Sequence, residues 1–260
     1  MKKLLPLLYL ITLPLFPTDY ALIIGIGSYQ NSFIPKLKQL QIDITNYNEI
    51  LYNYGVESKN ICRLINLNAT KENIKNKLLS ITKKIKKNDR FFIFFSGHGT
   101  SLFDENYSQA LQEAKLTNLM MHSGAILPYD FNPKYISKTI IIGKRDLKPY
   151  LHKIDKKGAE VLIVFDACFA ENSIRNSSGK EINRTPNILT DSKNYPYENI
   201  VYIASSIIQS QSGRFSPILK NCLIQSQNLN TIKYCINKNI NTSMQIPVIL
   251  ANHNKKFLFN

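Results

Sequence analysis

Residues 91–95 read FFIFF, an unbroken run of large apolar side chains. A half-exposed strand alternates apolar and polar residues, and this run does not. It fits a strand buried on both faces, the kind found in mostly parallel sheets covered by helices on each side. Residues 161–165, VLIVF, repeat the pattern. Shorter runs at 20–26, 61–65 and 200–204, and a last one at 245–250, supply further strands. Between them lie helical stripes. Leu40, Ile44, Tyr47, Leu51 and Tyr54 follow 4-3-4-3 spacing that ends at Gly55. Ile74, Leu78, Ile81 and Ile85 form a second stripe behind Thr70, a good N-cap. Residues 145–154 and 215–224 read as two more helices. Residues 100–122 read as a long polar stretch, and 172–197, rich in Asn, Ser, Pro and charge, as a long loop. Strand–helix alternation predicts an α/β fold with a mostly parallel sheet. A chain of 260 residues, 44% of them hydrophobic, suffices for one such domain. The sequence contains no internal repeat.

Both long apolar runs end in small polar turns. After the first, His98 stands between Gly97 and Gly99. Glycine lets the chain turn sharply and lets a ligand approach the backbone closely. Ligand sites in open α/β sheets lie at the carboxyl ends of strands, where this turn falls. A lone strand followed by Gly-His-Gly is equally an ordinary glycine-rich turn. The second run supplies the partner, because it leads into Asp166, Ala167 and Cys168. If the two strands are neighbours, His98 and Cys168 share one edge. A cysteine attacks as its thiolate and needs a base or cation beside it. Histidine suits that task, and it can then protonate a leaving amine. The backbone N–H groups of Gly99 and Cys168 are natural oxyanion donors. Alone, Cys168 reads as a buried thiol; with His98 it reads as half of a catalytic dyad. The glycines after the first strand, Gly25 and Gly27, lack the third Gly or Ala of a dinucleotide fingerprint, so no such cofactor is expected.

The net charge is +15, from 33 Lys and Arg against 18 Asp and Glu. The lysines are scattered apart from Lys83, Lys84, Lys86 and Lys87. No zinc-finger spacing, helix-turn-helix or RNA-binding aromatic pattern accompanies them. The charge reads as a solvated basic surface, and no nucleic-acid partner is expected. Cys62, Cys168, Cys222 and Cys235 are too few for a disulfide scaffold. Cys222 and Cys235 either pair in an oxidising compartment or stay buried thiols. The four histidines make no metal-ligand pattern, so no metal is expected. Lys2 and Lys3 precede an apolar stretch at 4–16 that looks like a targeting segment. Pro6, Pro14 and the short length argue against a spanning helix. Residues 1–18 are therefore expected to be a signal peptide or an uncleaved N-terminal anchor that associates with a membrane. Residues 19–260 are expected to form one exported domain. A hydrophobic N-terminal core strand is the alternative.

These motifs together resemble the caspase-like cysteine peptidases of the bacterial metacaspase–orthocaspase branch. The resemblance is carried by ALIIGIGSY at 21–29, Leu40 with Asp43, FFSGHG at 94–99, LPYD at 127–130 and VFDAC at 164–168. IVYIASS at 200–206 and GRFSPIL at 213–219 are weaker echoes. It implies a three-layer caspase-type sandwich, α/β, with a mostly parallel sheet of about six strands and helices on both faces. It also implies a cysteine endopeptidase acting on proteins or peptides. His98 and Cys168 would form the dyad, Gly99 and Cys168 the oxyanion donors, and Asp43 and Asp166 the acids of the P1 pocket. Two carboxylates there favour Arg or Lys at P1 and oppose Asp. On the residues alone, Asp43 also reads as a solvated helix residue and Asp166 as a turn cap. Caspase-like enzymes are often cut after the nucleophile strand. Arg175, Lys180 and Arg184 stand in that segment here, so self-processing is expected there, with an uncut surface loop as the equal alternative. The chain departs from the family at Phe169, Ala170 and Glu171, where Ser-Gly usually follows the cysteine by one residue. It departs again at 213–216, where GRFS replaces a His-Gly-x-Phe-Thr pattern. Calcium activates some metacaspases, but no calcium-loop pattern occurs and no cofactor is expected. Two other readings stay open: a catalytically silent caspase-like binding module, and a basic polyanion-binding protein.

Overall fold

The computed structural model describes residues 17–102, 104–120, 123–167, 195–205, 213–240 and 245–259. The two long apolar runs are neighbouring central strands. β3 (Arg90–Ser96) pairs in parallel with β7 (Glu160–Asp166), with Phe91 opposite Val161 and Ser96 opposite Asp166. Beyond β3 lie β1 (Asp19–Gly25) and then β2 (Ile61–Ile65); beyond β7 lie β8 (Ile200–Ala204) and then β9 (Val248–Leu250). All neighbours run parallel except β9, which closes the sheet antiparallel to β8. This is the expected six-stranded, mostly parallel sheet.

The side chains of the central strands explain the missing alternation. Phe92, Phe94, Leu162 and Val164 pack in one layer with α1 (Leu40–Asn53), α7 (Phe215–Gln225) and α8 (Leu229–Asn239). Phe91, Ile93, Phe95, Val161, Ile163 and Phe165 pack in the other with α2 (Lys71–Lys84) and α6 (Lys148–Lys156). Successive residues point to opposite faces, and both faces are dry. Each buried Phe contributes about 1.5–3 kcal/mol, so β3 is anchored firmly up to the turn that carries His98.

Local signals hold where a backbone requirement backs them. Gly55 ends α1 with φ of +75°, a left-handed conformation that favours glycine. The Thr70 hydroxyl accepts from the Asn73 amide at the start of α2. α6 begins later than the periodicity predicts, because Gly143–Leu147 winds as a wider turn and Pro149 belongs in a helix's first turn. β9 is shorter than predicted at its start, where Pro247 cannot donate to a ladder.

The polar stretch 100–122 corrects the sequence reading. It contains α3 (Ser108–Glu113) and α4 (Thr117–Met120), whose few apolar residues, such as Leu111 and Met120, are buried. A small antiparallel sheet of β4 (Gly99–Thr100), β5 (Ala125–Ile126) and β6 (Ile141–Ile142) lies beside them, with the short α5 (Ile136–Thr139). α8 was not anticipated either. A Cys222–Cys235 disulfide ties it to α7, which settles the choice between a pair and two thiols. The N-terminal segment 1–16, Cys168 and residues 172–194 lie outside the described residues. Among the described residues, no helix is long and apolar enough to cross a membrane.

Candidate active site

His98 follows directly from the carboxyl end of β3, and three contacts fix it. Its backbone N–H donates to the Tyr29 hydroxyl at 2.8 Å. Its carbonyl accepts from the Leu127 N–H at 3.0 Å. Its ring Nε2 lies 2.8 Å from the Pro35 carbonyl oxygen. A carbonyl only accepts, so Nε2 carries the proton. In the neutral ring, Nδ1 is then the basic nitrogen. Tyr29 is buried, and burial holds its hydroxyl protonated well above the ordinary tyrosine range. Gly97 is required by crowding: a Cβ there would stand 2.7 Å from the Phe95 ring and 3.2 Å from the Tyr29 hydroxyl. A side chain at Gly97 would therefore disturb the group that holds the His98 backbone.

The neighbouring strand brings Asp166 to the same edge. Ser96 pairs with Asp166, and the Gly97 N–H donates to the Asp166 carbonyl at 3.3 Å. The ladder thus ends at Asp166 on β7, beside the turn that carries His98. Asp43 reaches this edge from the first turn of α1. It is fully buried, which corrects the alternative of a solvated helix residue. One carboxylate oxygen accepts from the Ser96 hydroxyl at 2.7 Å and the other from the Ser216 hydroxyl at 2.6 Å. Asn46 donates in turn to the Ser216 hydroxyl at 3.2 Å. Tyr47, stacked on Phe94, is also buried here. Burial holds its hydroxyl protonated, and the charges of Asp166 and Asp43 add to that effect. Asp43 is bonded to Ser96, the ladder partner of Asp166, which brings the two carboxylates into a common neighbourhood.

Gly99 opens β4. Gly99 and Ile126 face each other in the antiparallel pair, while Leu127 N–H donates to the carbonyl of His98. That makes Gly99–Ile126 a non-hydrogen-bonded pair, so the Gly99 N–H is turned away from β5. The turn after β1 is occupied by the protein itself: the Gly27 and Ser28 amides donate to the Asn66 side-chain oxygen at 2.9 and 3.2 Å. A dinucleotide phosphate would need those amides. Among the described residues, no group of three or more His, Cys, Asp or Glu side chains is arranged to hold a metal ion.

Sequence reasoning missed Tyr29, Pro35, Ser96 and Ser216 as site residues. Ser96 had a visible sign, being the first polar residue after five apolar ones. Ser216 lies in the weak GRFS echo. Pro35 acts through its carbonyl, which any residue possesses.

Comparison with known proteins bears on the family and the fold. Over 163 residues the chain is 29% identical to metacaspase-1 of Plasmodium falciparum (isolate 3D7), covering 59% of this chain and 24% of that protein. The match thus spans about a quarter of that relative's length. The fold is similar to the crystal structure of protein GSU0716 from Geobacter sulfurreducens, with a TM-score of 0.62 and 15% identity over 92% of this chain and 95% of that one. The caspase domain family model matches residues 18–257, nearly the whole of the described fold, and the chain belongs to that family of cysteine peptidases.

Proposed function

We propose that the chain is a cysteine endopeptidase that cuts after Arg or Lys, with His98 and Cys168 as its dyad. The observation that carries this reading is the state of His98. With Nε2–H donated to Pro35, Nδ1 is the nitrogen available as a base. It takes the thiol proton of Cys168, and the thiolate attacks the scissile carbonyl carbon. The oxyanion is met by the N–H groups of Cys168 and Gly99, and the register at Gly99 supports that role. His98 then gives its proton to the leaving amine. Water hydrolyses the thioester with His98 as base, which returns the thiol. The carboxylates of Asp43 and Asp166 receive the basic side chain of the substrate. The disulfide between α7 and α8 supports work in an oxidising compartment, and so an exported protein.

An arginyl fluoromethyl ketone tests the dyad and the pocket together. Mass spectrometry of the treated protein is expected to show one adduct, mapped to Cys168. Among the described residues Cys62 is the free thiol, half-buried on β2, and it serves as an internal control. Labelling of Cys62 in place of Cys168, or no adduct, overturns the reading.

Self-processing rests on the basic residues Arg175, Lys180 and Arg184 in the segment that follows Cys168. Polar, proline-bearing connections are where nicking concentrates. Freshly purified wild-type protein is expected to yield two fragments with an end after one of these residues, while Cys168→Ala stays intact. Identical intact masses for the two proteins would exclude self-processing.

A further inference from the structure

The lysine cluster at 83–87 is joined in the fold by lysines from a second helix. α2 and α6 are both crossover helices on one face of the sheet, so their C-terminal turns reach the edge where the strands begin. Lys157 joins the two ends directly, its ammonium donating to the carbonyls of Thr82 at 2.6 Å and Ile85 at 2.9 Å. The connections beyond them are also tied, because the Asn88 N–H donates to the Gly158 carbonyl at 3.0 Å. Lys83 and Lys84 end α2, Lys86 and Lys87 follow it, and Lys153 and Lys156 stand in the last turn of α6, all exposed on this one edge.

The acids nearby offset them only in part. Asp89 is buried, its two oxygens accepting from the Thr18 and Lys86 amides at 2.8 Å each. Asp19 forms a two-pronged pair with Arg90 at 2.6 and 2.7 Å. Asp155 accepts from the amides of Glu198 and Asn199. Glu160 lies 3.6 Å from Lys255. Glu198 is an exposed acid at this edge.

A second, independent feature selects the partner. The chain enters the fold here: Thr18 donates to Asp89 and accepts from the Arg90 amide. The residues that precede it in sequence are the apolar stretch 4–16. An apolar segment leading into a lysine-rich rim suits an interface with an apolar phase beneath and anionic groups above it. A dissolved polyanion offers the second of these only.

We propose that the strand-start edge, through Lys83, Lys84, Lys86, Lys87, Lys153 and Lys156, docks this protein on an anionic lipid bilayer. The seven residues of β3 separate that edge from His98 by ~20 Å, so the candidate active site faces away from the membrane. This inference does not rest on the peptidase reading and survives its failure.

The test is co-sedimentation of the full chain with vesicles. The probes are equimolar phosphatidylglycerol and phosphatidylcholine, phosphatidylcholine alone, and duplex DNA. Each lysine at an anionic surface contributes about fivefold in partitioning. Changing the named lysines to Gln is expected to lower partitioning into the anionic vesicles at least about a hundredfold, with the thermal unfolding midpoint unchanged. The matching Lys→Arg set is expected to bind as wild type does. Raising salt on the wild-type protein is expected to release it from the anionic vesicles, a measurement that needs no variant. Salt-insensitive binding, or a Gln variant that partitions like wild type, overturns the proposal. So does wild-type binding to duplex DNA as tight as to the anionic vesicles, which would mark the edge as a general polyanion binder.

Discussion

Cys168→Ala is expected to lower peptide cleavage by about four orders of magnitude or more, and His98→Ala to do nearly the same. The two residues act as one unit. Without the thiol there is no nucleophile, and without the ring nothing takes the thiol proton at neutral pH or returns it to the amine. The double variant should therefore lose little beyond either single one, because each change already removes the whole covalent route. The fold is expected to survive both. β3 and β7 are held by buried side chains on both faces, and their ladder ends at Ser96 and Asp166, before either substituted position. Rates with a fluorogenic arginyl peptide and thermal unfolding of the same preparations check this. Wild-type turnover by Cys168→Ala would exclude the thioester route. A lost rate together with an unfolding midpoint shifted by many degrees would show that the substitution acted on the fold.

What was legible in the sequence divides along physical lines. The sheet was legible because burial on both faces writes itself into consecutive residues, as at 91–95 and 161–165. The edge shared by His98 and Asp166 followed from that, since neighbouring parallel strands end together. The interlock beneath them was not legible. Asp43, Ser96 and Ser216 are far apart in the chain, on α1, β3 and α7, and only the packed layers bring their oxygens within 2.7 Å. The Pro35 carbonyl that selects the ring tautomer of His98 is a backbone atom, and side-chain patterns carry no trace of it. Short elements such as α3 and α4 escaped for a related reason. A helix of one or two turns needs one or two buried residues, which is too few to make a period.

Cleavage after Arg or Lys is expected to exceed cleavage after Asp by at least about a thousandfold in kcat/KM. Asp43 and Asp166 supply the reason. Both are buried, and Asp43 is bonded to Ser96, the ladder partner of Asp166, so their charges fall in one poorly hydrated region. A guanidinium brought there gains a charge-assisted hydrogen bond, and a bidentate one where geometry allows. A substrate carboxylate meets two like charges, at a cost on the order of several kcal/mol, or roughly a decade in rate for each 1.4 kcal/mol. The two acids are not equivalent. Asp43 already accepts from Ser96 and Ser216 on its two oxygens, so its charge is held in place and acts chiefly through space. Asp166 lies at the end of β7, two residues from Cys168, and is the better placed to meet the substrate directly. Asp166→Asn should therefore cost about a hundredfold against an arginyl peptide, near the upper range for a hydrogen bond to a charged group. Asp43→Asn should cost about tenfold, with Ser216→Ala changing the rate in the same direction by freeing the carboxylate to move. Steady-state rates on matched arginyl, lysyl and aspartyl peptides separate these outcomes. Efficient cleavage after Asp, or indifference to both asparagine substitutions, would show that the basic side chain is received elsewhere.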